Sequence, residues 1–237
     1  MKALLLAAGY GLRLRPLTNH IPKCLVPIAG KPLLEIWLST LCSYNFDEIY
    51  INTHYLNNIV QEYLEKSKFK NKVKVLHENN LFGTAGTIRE NYSIFKNSDL
   101  FVAHADNLSK FNIKEFVAKF QFRPKHIDIT MMTFLTDSPQ LCGILKLNEY
   151  NEVINFYEKS KNFHGNLANG AVYLFSSNVI DYIYNLEKNK NDLSLHVINK
   201  YIGKINTFHN VNYHLDIGNY ENLNKANNDI EKGILEI

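Results

Sequence analysis

Two glycines and two arginines follow an apolar run near the amino terminus, in LLLAAGYGLRLRPLT at residues 4–18. Gly9 and Gly11 have no side chain, so the backbone N–H groups of this segment can approach an anion closely. Arg13 adds a permanently charged guanidinium that can bind an anion through two parallel hydrogen bonds. Lys23 follows ten residues later. These residue types predict a polyphosphate site, because several negative charges need more than one cation.

Two common phosphate-binding motifs do not fit this segment. A Rossmann dinucleotide loop would have a third glycine at position 14, where Leu14 stands, and an acidic residue ending the second strand, where INTHY at 51–55 has none. A P-loop needs G-x-x-x-x-G-K-[ST], and the chain has no such run. The residues leave open a different anion-binding loop or a strand-to-helix turn with two cations facing solvent.

The longer run at 4–35 resembles the signature of the sugar-1-phosphate nucleotidyltransferases. That family has an apolar strand, then G-x-G-x-R-L-x-P-L-T, then P-K, then G-K-P. The chain has LLLAAGYGLRLRPLT and PKCLVPIAGKPLLE at matching spacing, with Leu12 where threonine is common. The resemblance implies that Arg13 and Lys23 are the catalytic cations. It also implies a nucleotide site that includes Leu6, Ala8, Gly9, Gly11, Arg13 and Lys23.

Two later segments match the metal-binding landmarks of this family. VAHADN has Asp106 at the position of the family's Mg²⁺-binding aspartate, with Ala105 in place of the usual glycine. LDIG has Asp216 at the position of the second metal ligand. The resemblance therefore implies Mg²⁺ as the cofactor, and carboxylate oxygens are ligands that this ion prefers. The alternative to a metal ligand is a turn or cap residue for Asp106 and a cap of the helix that starts near Tyr220 for Asp216.

Two further segments match the landmarks for the sugar phosphate. EKSK has Glu158 and Lys159 where the family has E-K-P, and LANG has Asn169 in the family's asparagine-glycine element. Adjacent residues of a strand point to opposite faces, so a strand end or a bulge near Ser160 is needed for both EK side chains to reach one ligand. The resemblance implies a sugar-phosphate site made of Gly143, Glu158, Lys159 and Asn169.

The segment HENNLFGTAG at 77–86 is the candidate for reading the nucleobase. Glu78 can accept hydrogen bonds from both N1–H and the 2-amino group of guanine, whereas uracil and thymine offer one N–H donor. Gly83 leaves room for a planar base, and a helix that starts near Thr84 places backbone N–H groups beside it. FGTAG is most similar to the corresponding run of mannose-1-phosphate guanylyltransferases, and heptose-1-phosphate guanylyltransferases are similar too. GTP is therefore the expected substrate.

These residues need a scaffold that brings distant segments together. Apolar runs alternate with helical patterns through the first half, which predicts parallel strands with right-handed crossovers. The second half is richer in strands and predicts an antiparallel or mixed extension. The predicted strands cover 2–7, 48–52, 72–76, 100–104, 128–135, 142–148, 153–159 and 170–176. The predicted helices cover 32–44, 57–67, 84–95, 177–187, 194–200 and 220–231.

The fold class is therefore α/β, with a doubly wound, mixed but mostly parallel sheet. The resemblance implies the Rossmann-like nucleotidyltransferase fold with a smaller sugar-binding lobe. We expect one nucleotidyltransferase domain over 1–237, with a nucleotide-binding half at 1–110 and a sugar-phosphate-binding half at 111–237. We expect no carboxyl-terminal β-helix of the kind that longer relatives carry.

Composition excludes several other classes of protein. The net charge of +3 is spread along the chain, which does not favour nucleic-acid binding. Cys24, Cys42 and Cys142 form no C-x-x-C pair, which argues against a disulfide framework and favours a reducing compartment. No window is long and apolar enough for a membrane span. A cytoplasmic protein is expected, and the resemblance also admits a homodimer.

The resulting functional hypothesis is transfer of a nucleoside monophosphate from a nucleoside triphosphate, preferably GTP, to a sugar 1-phosphate such as mannose or heptose 1-phosphate. The products are a nucleotide sugar for polysaccharide or glycan synthesis and pyrophosphate. Two alternatives stay open. One is a thymidylyl- or uridylyltransferase acting on glucose 1-phosphate or an amino-sugar 1-phosphate. The other is a sugar-nucleotide sensor that has the fold without the activity.

Overall fold

The computed structural model describes all 237 residues of the chain. The strands are β1 (Lys2–Leu6), β2 (Pro27–Ile28), β3 (Lys31–Pro32), β4 (Ile49–Thr53), β5 (Val73–His77), β6 (Leu100–His104), β7 (Asn107–Lys110), β8 (Ile129–Leu135), β9 (Gly143–Leu147), β10 (Val153–Glu158), β11 (Leu167–Phe175), β12 (Ile205–His209) and β13 (Tyr213–Asp216).

The α-helices are α1 (Leu33–Cys42), α2 (Asn57–Lys66), α3 (Thr84–Glu90), α4 (Tyr92–Phe95), α5 (Ile113–Gln121), α6 (Ser177–Tyr184), α7 (Leu193–His196) and α8 (Tyr220–Glu231), and the chain also has five short 3₁₀ turns. None of the helices combines the length and the apolar character that crossing a membrane requires.

The residues pack into two units, neither of which is a continuous half of the chain. The amino-terminal unit contains 2–81, 103–113 and 212–237, and the central unit contains 82–102 and 114–211, with Met1. The predicted division at residue 110 concerned which ligand each half binds, and it stays a prediction.

The parallel strands of the amino-terminal unit follow from their apolar runs. β4 is buried along its whole length, and β1 is buried from Ala3 onward, as expected for strands covered on both faces. β4 pairs in parallel with β1, where Leu5 faces Ile51, and with β5. Because parallel strands end at one edge of a sheet, the residues after β1, β4 and β5 are brought together there.

A second, smaller sheet in the same unit joins β7 to β13. The two strands are antiparallel, and Asp216 pairs with Asn107. An apolar cluster packs behind this sheet; its buried members are Leu14, Val26, Ile28, Leu33, Leu108, Ile217, Leu223, Ala226 and Leu235. The cluster joins the turn after β1, the β7–β13 pair and α8 in one core.

The central unit has the mixed sheet that the second half of the sequence predicts. β11 is antiparallel to β8 and β9, β10 is antiparallel to β9, and β12 is parallel to β8. The α/β class with a mixed sheet is thereby confirmed. The predicted helix over 84–95 is divided at Asn91, whose amide donates to the carbonyl of Thr87 and ends α3. α5, β7, β12 and β13 were not predicted.

Candidate active site

The turn after β1, called here the phosphate loop (residues 7–13), needs glycine at one position for its own conformation. Gly11 has a φ of 65°, and a Cβ there would lie 3.0 Å from Cγ2 of Thr18. The hydroxyl of Thr18 donates to the carbonyl of Gly11 at 2.8 Å. Gly9 differs, because a Cβ on it would meet no atom within 4 Å. The bare backbone at Gly9 therefore faces open space.

The predicted cations and carboxylates meet in the amino-terminal unit. Nζ of Lys23 lies 2.6 Å from Oδ2 of Asp106 and 3.5 Å from Oδ1 of Asp216. Nη2 of Arg13 lies 3.5 Å from Oδ2 of Asp216. The side chain of Lys23 is 10% exposed, whereas that of Arg13 is 65% exposed. Lys23 is therefore held in place, and Arg13 is available to a ligand from solvent.

The pairing of strands explains why residues far apart in sequence converge. Asp106 directly precedes β7, and Asp216 ends β13 opposite Asn107. The backbone N–H of Ile217 donates to the carbonyl of Asp106 at 3.0 Å. That of Ala105 donates to the carbonyl of Leu6, which ends β1. These bonds place both aspartates beside the phosphate loop.

Gly218 is a residue of this cluster that the sequence analysis did not single out. A Cβ on it would lie 2.6 Å from Nη2 of Arg13 and 2.6 Å from Oδ2 of Asp216. A side chain at this position would therefore displace the guanidinium or the carboxylate from the arrangement that the structure shows. Gly218 is the glycine of LDIG in the sequence. Its closeness to Arg13 and Asp216 is visible only in the folded chain.

The charges of the cluster favour the ionised form of Asp106. Burial raises the pKa of Asp106, but the charge of Lys23, then His104 and hydrogen bonds outweigh it, so the pKa is below its ordinary value. The carboxylates of Asp106 and Asp216 both face the ammonium of Lys23, and 35% and 46% of their side-chain surface is exposed. Hard oxygen donors around one cation, open to solvent, are the ligand set that suits Mg²⁺.

Glu78, the predicted reader of the base, lies just beyond β5 and is 1% exposed. Its Oε1 accepts a hydrogen bond from Nδ2 of Asn52 at 2.8 Å. Its carbonyl contacts Nδ1 of His54 at 2.8 Å. The structure thus fixes both ends of Glu78, while its role toward a base stays a prediction.

Gly83 and Thr84 belong to the central unit, where α3 begins at Thr84 as predicted. The space beside Gly83 is filled, since a Cβ there would lie 2.6 Å from the carbonyl oxygen of Asn191. This carbonyl accepts from the N–H groups of Ala85 and Gly86 at 2.9 and 3.4 Å. Two N–H groups in the first turn of α3 are therefore already bonded to Asn191. No pattern in the sequence indicated this contact.

The predicted sugar-phosphate residues also belong to the central unit. β10 ends at Glu158, and Lys159 has a φ of 46°, which turns the chain out of the strand. The N–H of Lys159 donates to the carbonyl of Cys142, and its Nζ lies 3.6 Å from Oε1 of Glu158. The strand end that Glu158 and Lys159 require is thus present, and their charged groups lie side by side.

Gly143 and Asn169 are held close to this pair by sheet geometry. Gly143 faces Glu158 across β9 and β10, and a Cβ on it would lie 2.4 Å from the Phe156 ring and 2.7 Å from Oε2 of Glu158. Asn169 donates to the hydroxyl of Tyr173 at 2.7 Å, at an irregularity in β11. Burial raises the pKa of Glu158, while Lys159 opposes the shift. The site thus combines a desolvated carboxyl group with an exposed ammonium.

Comparisons with known proteins identify the family and several relatives. The family model described as "Nucleotidyl transferase" matches residues 2–233. The chain is 30% identical over 188 residues to the "Mannose-1-phosphate guanylyltransferase catalytic subunit beta" of Dictyostelium discoideum. It is 31% identical over 190 residues to "Mannose-1-phosphate guanylyltransferase 1" of Arabidopsis thaliana. Each match covers 77% of this chain and 52% of the relative, so the chain spans about half the length of these relatives.

Among solved structures, HddC from Yersinia pseudotuberculosis has a similar fold. The TM-score is 0.80 at 25% identity, and the match covers 97% of this chain and 99% of that chain.

Proposed function

The chain belongs to the nucleotidyl transferase family, and on that premise we propose that it transfers a nucleoside monophosphate from a nucleoside triphosphate to a sugar 1-phosphate. The observation that carries this proposal is the cluster of Arg13, Lys23, Asp106 and Asp216 beside the bare backbone of Gly9. Such a cluster joins two cations, two hard-oxygen ligands and exposed amides, which a polyphosphate bound through a metal ion requires.

The proposed transfer depends more on neutralising the charges of the two substrates than on a general base. An oxygen of the sugar phosphate attacks the α-phosphorus, and pyrophosphate leaves in line. Because the nucleophile is already an anion, the protein must mainly overcome repulsion between two anions and align them. Arg13 would hold the leaving β- and γ-phosphates, and Lys23 the α-phosphate as its charge develops. Lys159 would hold the phosphate of the sugar.

Asp106 and Asp216 would hold Mg²⁺. The ion, when bound, would offset negative charge on the phosphates and orient them. Lys23 balances the same two carboxylates in the structure. A bound α-phosphate would give the ammonium of Lys23 a third anionic partner besides Asp106 and Asp216.

GTP is the triphosphate that we propose, with mannose 1-phosphate or heptose 1-phosphate as the acceptor. Two matched relatives are named mannose-1-phosphate guanylyltransferases. The carboxylate of Glu78 would suit the N1–H and 2-amino donors of guanine once nucleotide binding uncovers it, since it is 1% exposed and bonded to Asn52 in the structure. Thymidylyl or uridylyl transfer is the alternative, and a substrate panel separates the two. A sensor would not need to retain both aspartates together with both cations.

The setting that we propose for this activity is the cytoplasm. None of the three cysteines forms a disulfide, which is compatible with a reducing compartment. The partners would be the triphosphate and the sugar phosphate, and the homodimer stays a prediction.

The deciding experiment is a matrix of GTP, UTP, dTTP, CTP and ATP against the 1-phosphates of mannose, heptose, glucose and N-acetylglucosamine, followed by pyrophosphate release with and without Mg²⁺. We expect the highest kcat/KM with GTP and a mannose- or heptose-type acceptor. Asp106→Asn is the matched control, because it keeps the size of the side chain and removes its charge. Equal use of all triphosphates would refute the guanylyl assignment, and release that persists in Asp106→Asn would refute the metal site.

A further inference from the structure

Two polar side chains leave the carboxyl end of β4 on the same side. Asn52 lies in the strand and His54 follows its last residue, Thr53, so the two are two positions apart. Side chains separated by two positions along an extended chain point in the same direction. Both contact Glu78, and both also contact the phosphate loop.

The first link passes through Asn52. Its Oδ1 accepts from the backbone N–H of Ala7 at 2.6 Å, and its Nδ2 donates to Oε1 of Glu78 at 2.8 Å. Asn52 is 3% exposed. The oxygen and the nitrogen of the side-chain amide therefore have different partners. A rotated amide would place its NH₂ group against the N–H of Ala7, and both groups are donors.

The second link passes through His54. The carbonyl of Glu78 can only accept, so Nδ1 of His54, 2.8 Å away, must carry the proton. Nε2 of the neutral ring is then an acceptor, and it receives the hydroxyl proton of Tyr10 at 3.1 Å. The Tyr10 ring also packs edge-on against His54, with centroids 5.5 Å apart. Tyr10 lies between the two glycines of the phosphate loop.

We propose that Asn52 and His54 are positioning residues that hold the phosphate loop at a set distance from the base-reading carboxylate, and that they thereby contribute to nucleotide affinity and selectivity. This inference rests on the proposed function, in which Glu78 reads guanine. The loop needs such ties because its two glycines have large conformational freedom. Asn52 secures the start of the loop through Ala7, and His54 secures its middle through Tyr10. In this proposal a nucleoside triphosphate contacts the phosphate loop through its phosphates and Glu78 through its base at the same time. A change in the distance between loop and carboxylate would therefore weaken both contacts.

Two single variants test the second link without disturbing the buried one. Tyr10→Phe removes the hydroxyl and keeps the ring. His54→Asn keeps a donor in the place of Nδ1 and removes the acceptor for Tyr10. Both delete the same hydrogen bond, whose typical net value corresponds to an effect of about three- to tenfold. We expect each variant to raise the Kd for GTP by about that factor, and the double variant to be no worse than either single one.

The Kd is measured by calorimetry, which needs no turnover, and KM values for both substrates are measured alongside. We also expect the preference for GTP over ITP, which lacks the 2-amino group, to fall several-fold, while the KM for the sugar phosphate changes less than twofold. A purely structural role would lower the Tm without changing the GTP to ITP ratio. Tyr63→Phe is the matched control, since it removes a hydroxyl that donates to Glu35 between α2 and α1.

The outcomes separate the two proposals. If the wild-type protein releases no pyrophosphate with any substrate pair, the proposed function fails, whatever the variants do. If the wild-type protein is active but Tyr10→Phe and His54→Asn keep the wild-type Kd for GTP and GTP to ITP ratio, the positioning role is wrong. Additive losses in the double variant would also overturn it, because they would show that the two side chains act independently.

Discussion

Replacing Gly9 by alanine separates what the phosphate loop needs for folding from what it needs for binding. A Cβ at this position would meet no atom within 4 Å, and the backbone is not in the left-handed region that excludes a side chain. Alanine at such a site restricts the unfolded chain and stabilises a protein by about 0.4–1 kcal/mol. For a chain of this size, we expect the Tm to stay equal or rise by up to about 4 °C.

The effect on catalysis should be opposite and large. A phosphate oxygen bonded to a backbone N–H lies about 2.9 Å from the nitrogen, and the added methyl group would intrude on its path. Displacement of a bound reactant by about 1 Å costs roughly 100-fold in rate, or about 2.7 kcal/mol. We therefore expect kcat/KM for the triphosphate to fall by about two orders of magnitude, as measured by pyrophosphate release.

Two results would refute this reasoning. A Gly9→Ala enzyme with wild-type kcat/KM would show that no ligand approaches the backbone there. A fall in Tm of more than about 5 °C would show that the open space beside Gly9 is needed by the protein itself. The contrast between unchanged stability and lost activity is what assigns the glycine to the ligand.

Three other substitutions test separate parts of the structure. Gly143→Ala should lower the free energy of unfolding by about 1–3 kcal/mol, because its Cβ would lie 2.4 Å from the buried ring of Phe156; an unchanged urea midpoint would contradict this. Lys159→Ala should raise the KM for the sugar phosphate more than the KM for the triphosphate, and the reverse pattern would mean that the two ligand sites are exchanged. Glu48→Gln tests a pH dependence. A hydrogen bond from Lys74, with further ones from a second lysine and a tyrosine, lowers the pKa of Glu48 from 4.5 to about 2. The pKa of Glu48 is lower in the folded than in the unfolded protein, so its interactions stabilise the folded protein fully above about pH 4.5. This stabilisation is lost as the pH falls to about 2. The variant should therefore be less stable at pH 7 by under about 1 kcal/mol and equal near pH 2 in denaturant titrations, and equal stability at pH 7 would count against it.

Much of the scaffold was predictable because its signals are local. The apolar run of β1, the helical spacing of α1 and the alternation of strands and helices depend on neighbouring residues, and these elements lie close to where the patterns place them. The sequence also required a strand end or a bulge near Ser160 for the adjacent side chains of Glu158 and Lys159 to reach one ligand, and β10 ends at Glu158.

Other features depend on pairs that no local pattern reveals. The short strands β7 and β13 carry few residues, and their pairing is set by the apolar cluster behind them. The carbonyl of Asn191 bonds to the first turn of α3, although the two segments are far apart in sequence. The carboxylate of Glu78 was visible in the sequence, but its burial and its bonds to Asn52 of β4 and to His54 just after that strand were not.

By itself, the sequence determined the α/β class, the glycine-rich phosphate loop and the order of the later charged landmarks. Only the tertiary structure decided that Lys23 lies between Asp106 and Asp216, and that a side chain at Gly218 would crowd Arg13 and Asp216. It also decided that the loop is tied to Glu78 by Asn52 of β4 and by His54 just after that strand. The physical reason is one of range. Backbone preferences and apolar periodicity act over a few residues, whereas a site is assembled by the register of strands whose partners are far away along the chain.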